Sequence, residues 1–242
     1  MVVYECLDLG DLRRLIESAP PRWTSTSSGI ADLDAESSRC ESMSDHAGVV
    51  DEDPDDRVAG SGNGAGAELH FWERACLGMD CARGLAHLHA NHRLHRDIKS
   101  FNILCDVHPS QQRIAAKLGD YGTVKILATE EGDTGLSMFE AKTSELTMER
   151  GTMGWVSPEV LGGIPGQVGY GPPADIFSLG VVLWELIAED VHANPLLGRA
   201  PVDYCNRLER GERPTVNVGV PAAYRELLSK CWAFKPDDRP TA

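Results

Sequence analysis

Apolar positions recur at helical spacing in several parts of this chain and at strand spacing in others. Residues 1 to 18 begin with the short apolar run Val2-Val3-Tyr4-Glu5-Cys6, turn at Gly10, and continue with Leu12, Leu15 and Ile16 on one helical face. From Leu69 to about His92, the residues Leu69, Trp72, Cys76, Met79, Ala82 and Ala86 step by three and four, which predicts a long helix. Ile103-Leu104-Cys105 and Ile114 to Leu118 read as short strands joined by a polar turn containing Pro109. Between Asp175 and Ala188, the residues Ile176, Leu179, Val181, Val182, Leu183, Trp184, Leu186 and Ile187 cover most of a helical surface. A helix that is apolar nearly all round belongs in a core. Two amphipathic helices follow, around Tyr204 to Leu208 and Ala223 to Trp232.

Two stretches break the pattern. Residues 19–68 are rich in Ser, Gly, Asp and Glu and carry eleven acidic residues against Arg22, Arg39 and Arg57, a net of −8 out of the chain's −14. Such a composition buries too little apolar surface to offset the entropy of ordering, so it reads as a disordered insertion between two helices. An unspliced gene segment would have the same composition. Its cluster Asp51-Glu52-Asp53 and Asp55-Asp56 lacks the ligand spacing of a calcium loop and reads as a solvated acidic tract. Residues 123–150 are polar with several hydroxyls, as in a mobile loop.

The bulk composition narrows the possibilities. A chain of 242 residues with 42% hydrophobic content can form one large domain with a substantial core. Its net charge of −14 argues against a general binder of nucleic acid or anionic membrane, and neither partner is expected. No run reaches the eighteen apolar residues of a membrane span, and the N-terminus lacks a signal pattern. The seven cysteines form no Cys-x-x-Cys pair and no regular framework, which suggests buried free thiols in a reducing compartment. The chain therefore reads as soluble, intracellular and cytoplasmic.

Candidate chemistry is densest in His95-Arg96-Asp97-Ile98-Lys99-Ser100-Phe101-Asn102-Ile103-Leu104. A carboxylate, an ammonium and a carboxamide stand two and three residues apart. Phosphoryl transfer needs such a set: Asp97 to orient a hydroxyl and take its proton, Lys99 to offset phosphoryl charge, and Asn102 as a neutral oxygen ligand for magnesium. A second metal-binding oxygen is expected at Asp120 in Leu118-Gly119-Asp120-Tyr121-Gly122. The histidines at 87, 89, 92 and 95 have a chelating spacing, but nothing nearby supplies cysteine or carboxylate ligands at suitable spacing, and no metal site is expected there.

In this order, these stretches resemble the signature set of the protein kinase superfamily. Gly151-Thr152-Met153-Gly154-Trp155-Val156-Ser157-Pro158-Glu159 is similar to the end of a kinase activation segment, with Ser157 where alanine is usual. Asp175-Ile176-Phe177-Ser178-Leu179-Gly180 resembles the start of the central helix of the larger lobe. Cys231-Trp232 with Pro236-Asp237-Asp238-Arg239-Pro240 resembles the motif near the domain's end. The resemblance implies an α+β, protein-kinase-like fold: residues 1–18 as hinge and first helix of the C-terminal lobe, 19–68 as an acidic insertion, and 69–242 as the mainly helical C-terminal lobe. The chain shows no Gly-x-Gly-x-x-Gly, no Val-Ala-Ile-Lys strand and no P-loop, so the N-terminal lobe is expected to be missing.

The resemblance also implies ATP and Mg2+ as cofactors and a protein substrate. The main chain of Glu5 and Leu7 would bond the adenine, with Tyr4 as gatekeeper and Leu104 as an apolar floor. Thr152 would serve the catalytic loop through its hydroxyl. Asp175 would brace the main chain near His95, and Glu159 would pair with Arg239. Tyr121 stands where phenylalanine is commonest, and its hydroxyl needs a partner if buried. Lys99 and Thr152 favour serine or threonine as acceptor, and Gly-Trp-Val-Ser-Pro-Glu with Cys-Trp looks most like the tyrosine-kinase-like branch. Arg96 is expected to recruit a phosphorylated hydroxyl of the following loop, with Thr143, Ser144 and Thr147 best placed. Without a smaller lobe, the chain alone is expected to be weakly active or inactive. The alternative function is that of a pseudokinase or scaffolding fragment.

Overall fold

A computed structural model describes residues 10–19, 21, 69–107, 113–127, 151–162 and 169–242. The expected hinge strand with Tyr4, Glu5 and Leu7 lies outside the described residues. So do almost all of the acidic insertion and the loop hydroxyls at 143, 144 and 147.

Helix α1, Leu12–Ser18, starts where Asp11 accepts a hydrogen bond from the Arg14 amide at 3.0 Å, satisfying one of the free donors of a helix start. It buries Leu12, Arg13 and Ile16. Helix α2, Phe71–Ala90, opens with a capping box in which the His70 amide donates to Glu73 at 2.7 Å. Its buried stripe runs through Arg74, Leu77, Cys81, Leu85 and Leu88. That stripe is rotated from the expected one: Cys76 is buried, but Trp72, Met79, Ala82 and Ala86 are only partly so. The periodicity could not count Arg74 as a core residue because it is charged. Arg74 is nevertheless fully buried, donating to the carbonyls of Leu69 at 3.0 Å, Leu186 at 2.9 Å, and Ala19. The Leu186 and Ala19 carbonyls stand at helix C-termini, where a cation is favoured.

After α2 the chain forms strand β1, Arg93–Leu94, and a single 3-10 turn over Ser100–Asn102. It continues into β2, Ile103–Val107, and β3, Ile114–Leu118. Strands β2 and β3 pair antiparallel with Ile103 opposite Leu118 and Cys105 opposite Ala116. β1 pairs antiparallel with β4, Lys125–Ile126, a two-residue ribbon too short to leave a periodic signal. The Cys105 amide donates to the Gly10 carbonyl at 2.9 Å, so the segment before α1 lies along β2.

Helix α3, Pro172–Glu185, is the core helix, with Ala174 to Glu185 buried without a break. It starts three residues before the expected Asp175 because Pro172 and Pro173 occupy its first turn, where a missing N–H costs nothing. Helices α4, Pro201–Glu209, and α5, Ala222–Cys231, complete the described fold. Gly180 of α3 faces Cys231 of α5, and a Cβ there would stand 2.8 Å from the cysteine Cβ. Only glycine allows that approach.

Candidate active site

The loop between β1 and β2 carries the chemistry, and one buried carboxylate fixes its first half. Asp175, in the first turn of α3 and fully buried, accepts from the amides of His95 and Arg96 at 2.9 Å each. It also meets His89 Nε2 at 3.0 Å and accepts from the Tyr170 hydroxyl at 2.9 Å. Two consecutive amides converge on one carboxylate only if the backbone turns sharply, and Arg96 does so with φ +69°. Burial and the neighbouring Asp175 push the Tyr170 hydroxyl well above its ordinary pKa, so it stays a donor. His89 and Tyr170 were not identified from sequence. Tyr170 lies five residues before Asp175, so a single α-helix turn would not have brought them together.

His95 ties this loop to the Asp120 segment. Its ring Nε2 faces the Gly119 carbonyl at 2.9 Å, and its own carbonyl accepts from Thr123 Oγ1 at 2.8 Å. A carbonyl partner requires the proton on Nε2. Arg96 Nε donates to the Thr123 carbonyl at 2.6 Å. Tyr121 is 43% exposed, so its hydroxyl reaches water and needs no buried partner.

Asp97 sits at the centre. Its Oδ2 accepts from Lys99 Nζ at 2.7 Å and from Asn102 Nδ2 at 2.9 Å, and its Oδ1 accepts from Thr152 Oγ1 at 2.9 Å. Lys99 Nζ also reaches Thr152 Oγ1 at 2.9 Å. The four predicted polar residues of the loop and the 151–157 segment are thus in mutual contact. Each carboxylate oxygen has two acceptor sites, and Oδ1 uses one of them here, which leaves room for a hydroxyl.

Asn102 Nδ2 also donates to the Asp97 carbonyl at 2.8 Å, so its amide nitrogen is committed and its Oδ1 points away from Asp97. The Gly119 amide donates to the Asn102 carbonyl at 2.7 Å, which brings Asp120 next to Asn102 in the fold. Asp120 is exposed, with φ +55°. A side chain at position 119 would crowd the Asn102 carbonyl at 3.2 Å and Leu104 at 3.3 Å. One carboxamide oxygen and one carboxylate suit Mg2+, a hard cation that keeps several waters and takes few protein ligands. Among the described residues, no group of three or more His, Cys, Asp or Glu side chains has the geometry to hold a metal. Leu104 is half-buried, between the Gly10–Asp11 segment and Gly119.

Glu159 and Arg239 form a two-pronged pair, with NH1 to Oε1 at 2.6 Å and NH2 to Oε2 at 2.9 Å. The structure adds a group that sequence reasoning passed over. Glu185, the last residue of α3 and 1% exposed, accepts from Arg13 NH1 at 2.8 Å, Ser100 Oγ at 3.0 Å and Trp155 Nε1 at 2.9 Å. Burial pushes its carboxyl up to about 7, against the opposing pull of Trp155, Ser100 and Arg13. A second carboxylate at the end of an otherwise apolar helix was the available signal, because such a residue is seldom buried without partners.

A bracing helix, a loop carrying Asp97, Lys99 and Asn102, and a neighbouring Gly-Asp segment stand together here in the order expected from the sequence. The protein kinase domain family matches residues 72–242, and the chain belongs to it. Among its relatives, the probable serine/threonine-protein kinase drkD of Dictyostelium discoideum is 34% identical over 176 residues, 72% of this chain and 12% of that protein. A probable LIM domain-containing serine/threonine-protein kinase of the same organism is 30% identical over 174 residues, 72% of this chain and 23% of the relative. Serine/threonine-protein kinase STY46 of Arabidopsis thaliana is 30% identical over 171 residues, 68% of this chain and 24% of the relative. The chain thus spans less than a quarter of the length of these relatives. The described fold is largely the helical C-terminal lobe of the family. Among the described residues, no helix is long and apolar enough to cross a membrane.

Proposed function

We propose that this chain is the catalytic lobe of an ATP-dependent protein serine/threonine kinase. The observation that carries the reading is the bonding of Asp97, whose two oxygens are fixed by Lys99, Asn102 and Thr152 while one acceptor site on Oδ1 is left over. In this reading Asp97 accepts a hydrogen bond from the substrate hydroxyl at that site, orients its oxygen for in-line attack, and takes its proton. Lys99, bonded to both Asp97 and Thr152, faces the charge of the transferring phosphoryl group. Thr152 holds Asp97 and Lys99 in register and thereby links the loop to the segment on which a protein substrate rests. Asn102 Oδ1 and the Asp120 carboxylate would hold Mg2+, which would supply charge neutralisation to the phosphate oxygens. Leu104 would supply an apolar surface for the adenine, and the main chain of Glu5 and Leu7 would meet its edge. Arg96 is the cation that a phosphorylated hydroxyl at 143, 144 or 147 would engage.

A cytoplasmic location agrees with the cysteines. Cys76, Cys81, Cys105, Cys205 and Cys231 are buried and free, and burial pushes the Cys105 thiol up to about 12 and that of Cys231 to about 11. Such thiols are protonated and inert.

The test is phosphorylation of a protein acceptor with Mg-ATP by the protein and two variants. Asp97→Asn should keep the fold and lose about 10²- to 10⁴-fold in turnover, since the loop keeps its bonding while the base is gone. Asp120→Asn should lose most turnover at low magnesium, because a carboxamide is a poor partner for a divalent cation. Near-normal turnover by Asp97→Asn would remove the base from the scheme. Residues 1–242 assayed alone should turn over slowly, since their sequence holds no Gly-x-Gly-x-x-Gly motif and no Val-Ala-Ile-Lys lysine for the phosphates. A protein that binds partners through this lobe but is inactive regardless of Asp97 would instead be a scaffold.

A further inference from the structure

We propose that Arg74 is a positioning residue for the nucleotide side of the site. It clasps together the two ends of the 20–68 segment, and so holds α1, with the chain that leads into it, against the lobe. The inference rests on the kinase reading, in which the adenine lies on Leu104 beside the main chain of Glu5 and Leu7, and goes beyond it.

The guanidinium reaches three separate stretches of backbone. Nε donates to the Leu69 carbonyl at 3.0 Å, NH1 to the Leu186 carbonyl at 2.9 Å, and NH2 to the Ala19 carbonyl. Ala19 and Leu186 are the C-caps of α1 and α3, and Leu69 stands just before the cap of α2. Ala19 and Leu69 are themselves buried. Residues 20–68 therefore leave the fold at Ala19 and rejoin it at Leu69, two points that share one side chain.

The electrostatics suit this position. Arg74 lies near the start of α2, where the helix dipole opposes a cation, and it is fully buried. The negative ends of two other helices, at Ala19 and Leu186, offset that opposition. A planar fork with five donors can meet carbonyls from three directions, which a single ammonium does less well.

Helix α1 is the element that the clasp secures. Its leading end lies on β2, where the Cys105 amide donates to the Gly10 carbonyl at 2.9 Å and Asp11 bridges to Leu104. Its other end is Ala19. A helix of seven residues spans only about 10 Å and is marginal without tertiary contacts, so freeing Ala19 loosens the end that rests beside Leu104. The connecting chain offers little help. Closing about fifty residues is roughly 40-fold less favourable than closing four, so Arg74 takes the place of the tight turn that would otherwise keep α1 beside α2.

The test uses the full chain, Arg74→Met and Arg74→Lys, each with 20–68 intact and with 20–68 replaced by a four-residue Gly-Ser link. Hydrogen exchange and steady-state kinetics are read on all six proteins. In Arg74→Met with 20–68 intact, exchange should rise about tenfold or more in 12–19, with 201–209 and 222–231 unchanged. KM for ATP should rise about tenfold while KM for the protein acceptor stays within about twofold. Arg74→Lys, which keeps the charge and part of the bonding, should give intermediate values. The short link should bring both the exchange of 12–19 and the KM for ATP in Arg74→Met back to within about threefold of the unaltered protein. Unchanged exchange in 12–19, a rise shared by 201–209 and 222–231, or no rescue by the short link would each overturn the inference, as would an equal rise in both KM values. Failure of the kinase reading looks different: phosphorylation indifferent to Asp97→Asn, with the exchange pattern and its rescue still deciding whether Arg74 holds α1.

Discussion

Replacing Arg239 by methionine should unfold this lobe far more easily at neutral pH than at pH 5. The arginine makes five hydrogen bonds: two to Glu159 and one each to the carbonyls of Pro173, Ala233 and Phe234, at 2.6 to 2.9 Å. Its guanidinium also lies 5.0 Å over Phe177. Methionine fills part of the volume but leaves the Glu159 carboxylate, on a residue 5% exposed, without its cation. Breaking a buried pair in this way costs about 3 to 5 kcal/mol. An independent bound agrees, because an orphaned carboxylate can always take up a proton, and protonating an ordinary glutamate at pH 7 costs about 4 kcal/mol. That route also fixes the sign. The orphan's pKa in the folded state rises above its unfolded value, so the penalty grows with pH above that value and shrinks by about 1.4 kcal/mol per unit as pH falls. Urea unfolding at pH 7 and pH 5 reads both quantities, and the melting temperature at pH 7 should drop by roughly 10 °C. Adding Glu159→Gln to Arg239→Met should recover much of the loss at pH 7. A loss below about 1 kcal/mol at pH 7, or one equal at both pH values, would refute the reasoning.

The Glu185 carboxyl is pushed from the usual 4.5 up to about 7 by burial, so its stabilising contribution is present below pH 4.5 and lost as pH rises through 7. Relative to Glu185→Gln, the protein should lose about 3 kcal/mol of stability between pH 4.5 and 7.5. The Gln variant is the proper comparator because His192 and Glu17 border Arg13 and titrate in both proteins; equal pH profiles would contradict the expectation. Gly180→Ala places a methyl 2.8 Å from Cys231 Cβ and 3.3 Å from the backbone of Cys231 and Trp232, which cannot give way easily. It should cost about 1 to 3 kcal/mol despite alanine's better helix propensity, and an unchanged or raised melting temperature would show that α3 and α5 have slack between them.

What the sequence revealed, and what it hid, follows from how far apart the partners lie. Asp97, Lys99 and Asn102 fall within six residues, so their shared chemistry was visible at once. The helices were legible because burial leaves a period of three to four. The Glu185 network was not, since its donors are 172, 85 and 30 residues away and each reads locally as an ordinary residue. Arg74 escaped for a different reason. Its partners are backbone carbonyls, including those of Ala19 and Leu186 at two helix ends, and carbonyls carry no sequence signature. The same holds for His89: nothing nearby in sequence supplies a carboxylate at suitable spacing, yet α3 delivers Asp175 to it across 86 residues.

These observations converge on the two ends of one helix. Asp175 stands in the first turn of α3 and Glu185 at its last residue, ten residues and about 15 Å apart along the axis. Asp175 grips the loop at His95 and Arg96, and Glu185 grips it at Ser100. The stretch from Arg96 to Ser100 is thus fixed at both ends by side chains of one helix. Asp97, between the two grips, is thereby held from both sides as well as by its own hydrogen bonds. The two ends differ electrostatically. A carboxylate in the first turn is favoured by the helix dipole, whereas one at the C-terminus is opposed by it and depends on its donors. Asp175 is therefore the fixed grip, and Glu185, which relies on Arg13, Ser100 and Trp155, is the one that a change of pH or partner can loosen.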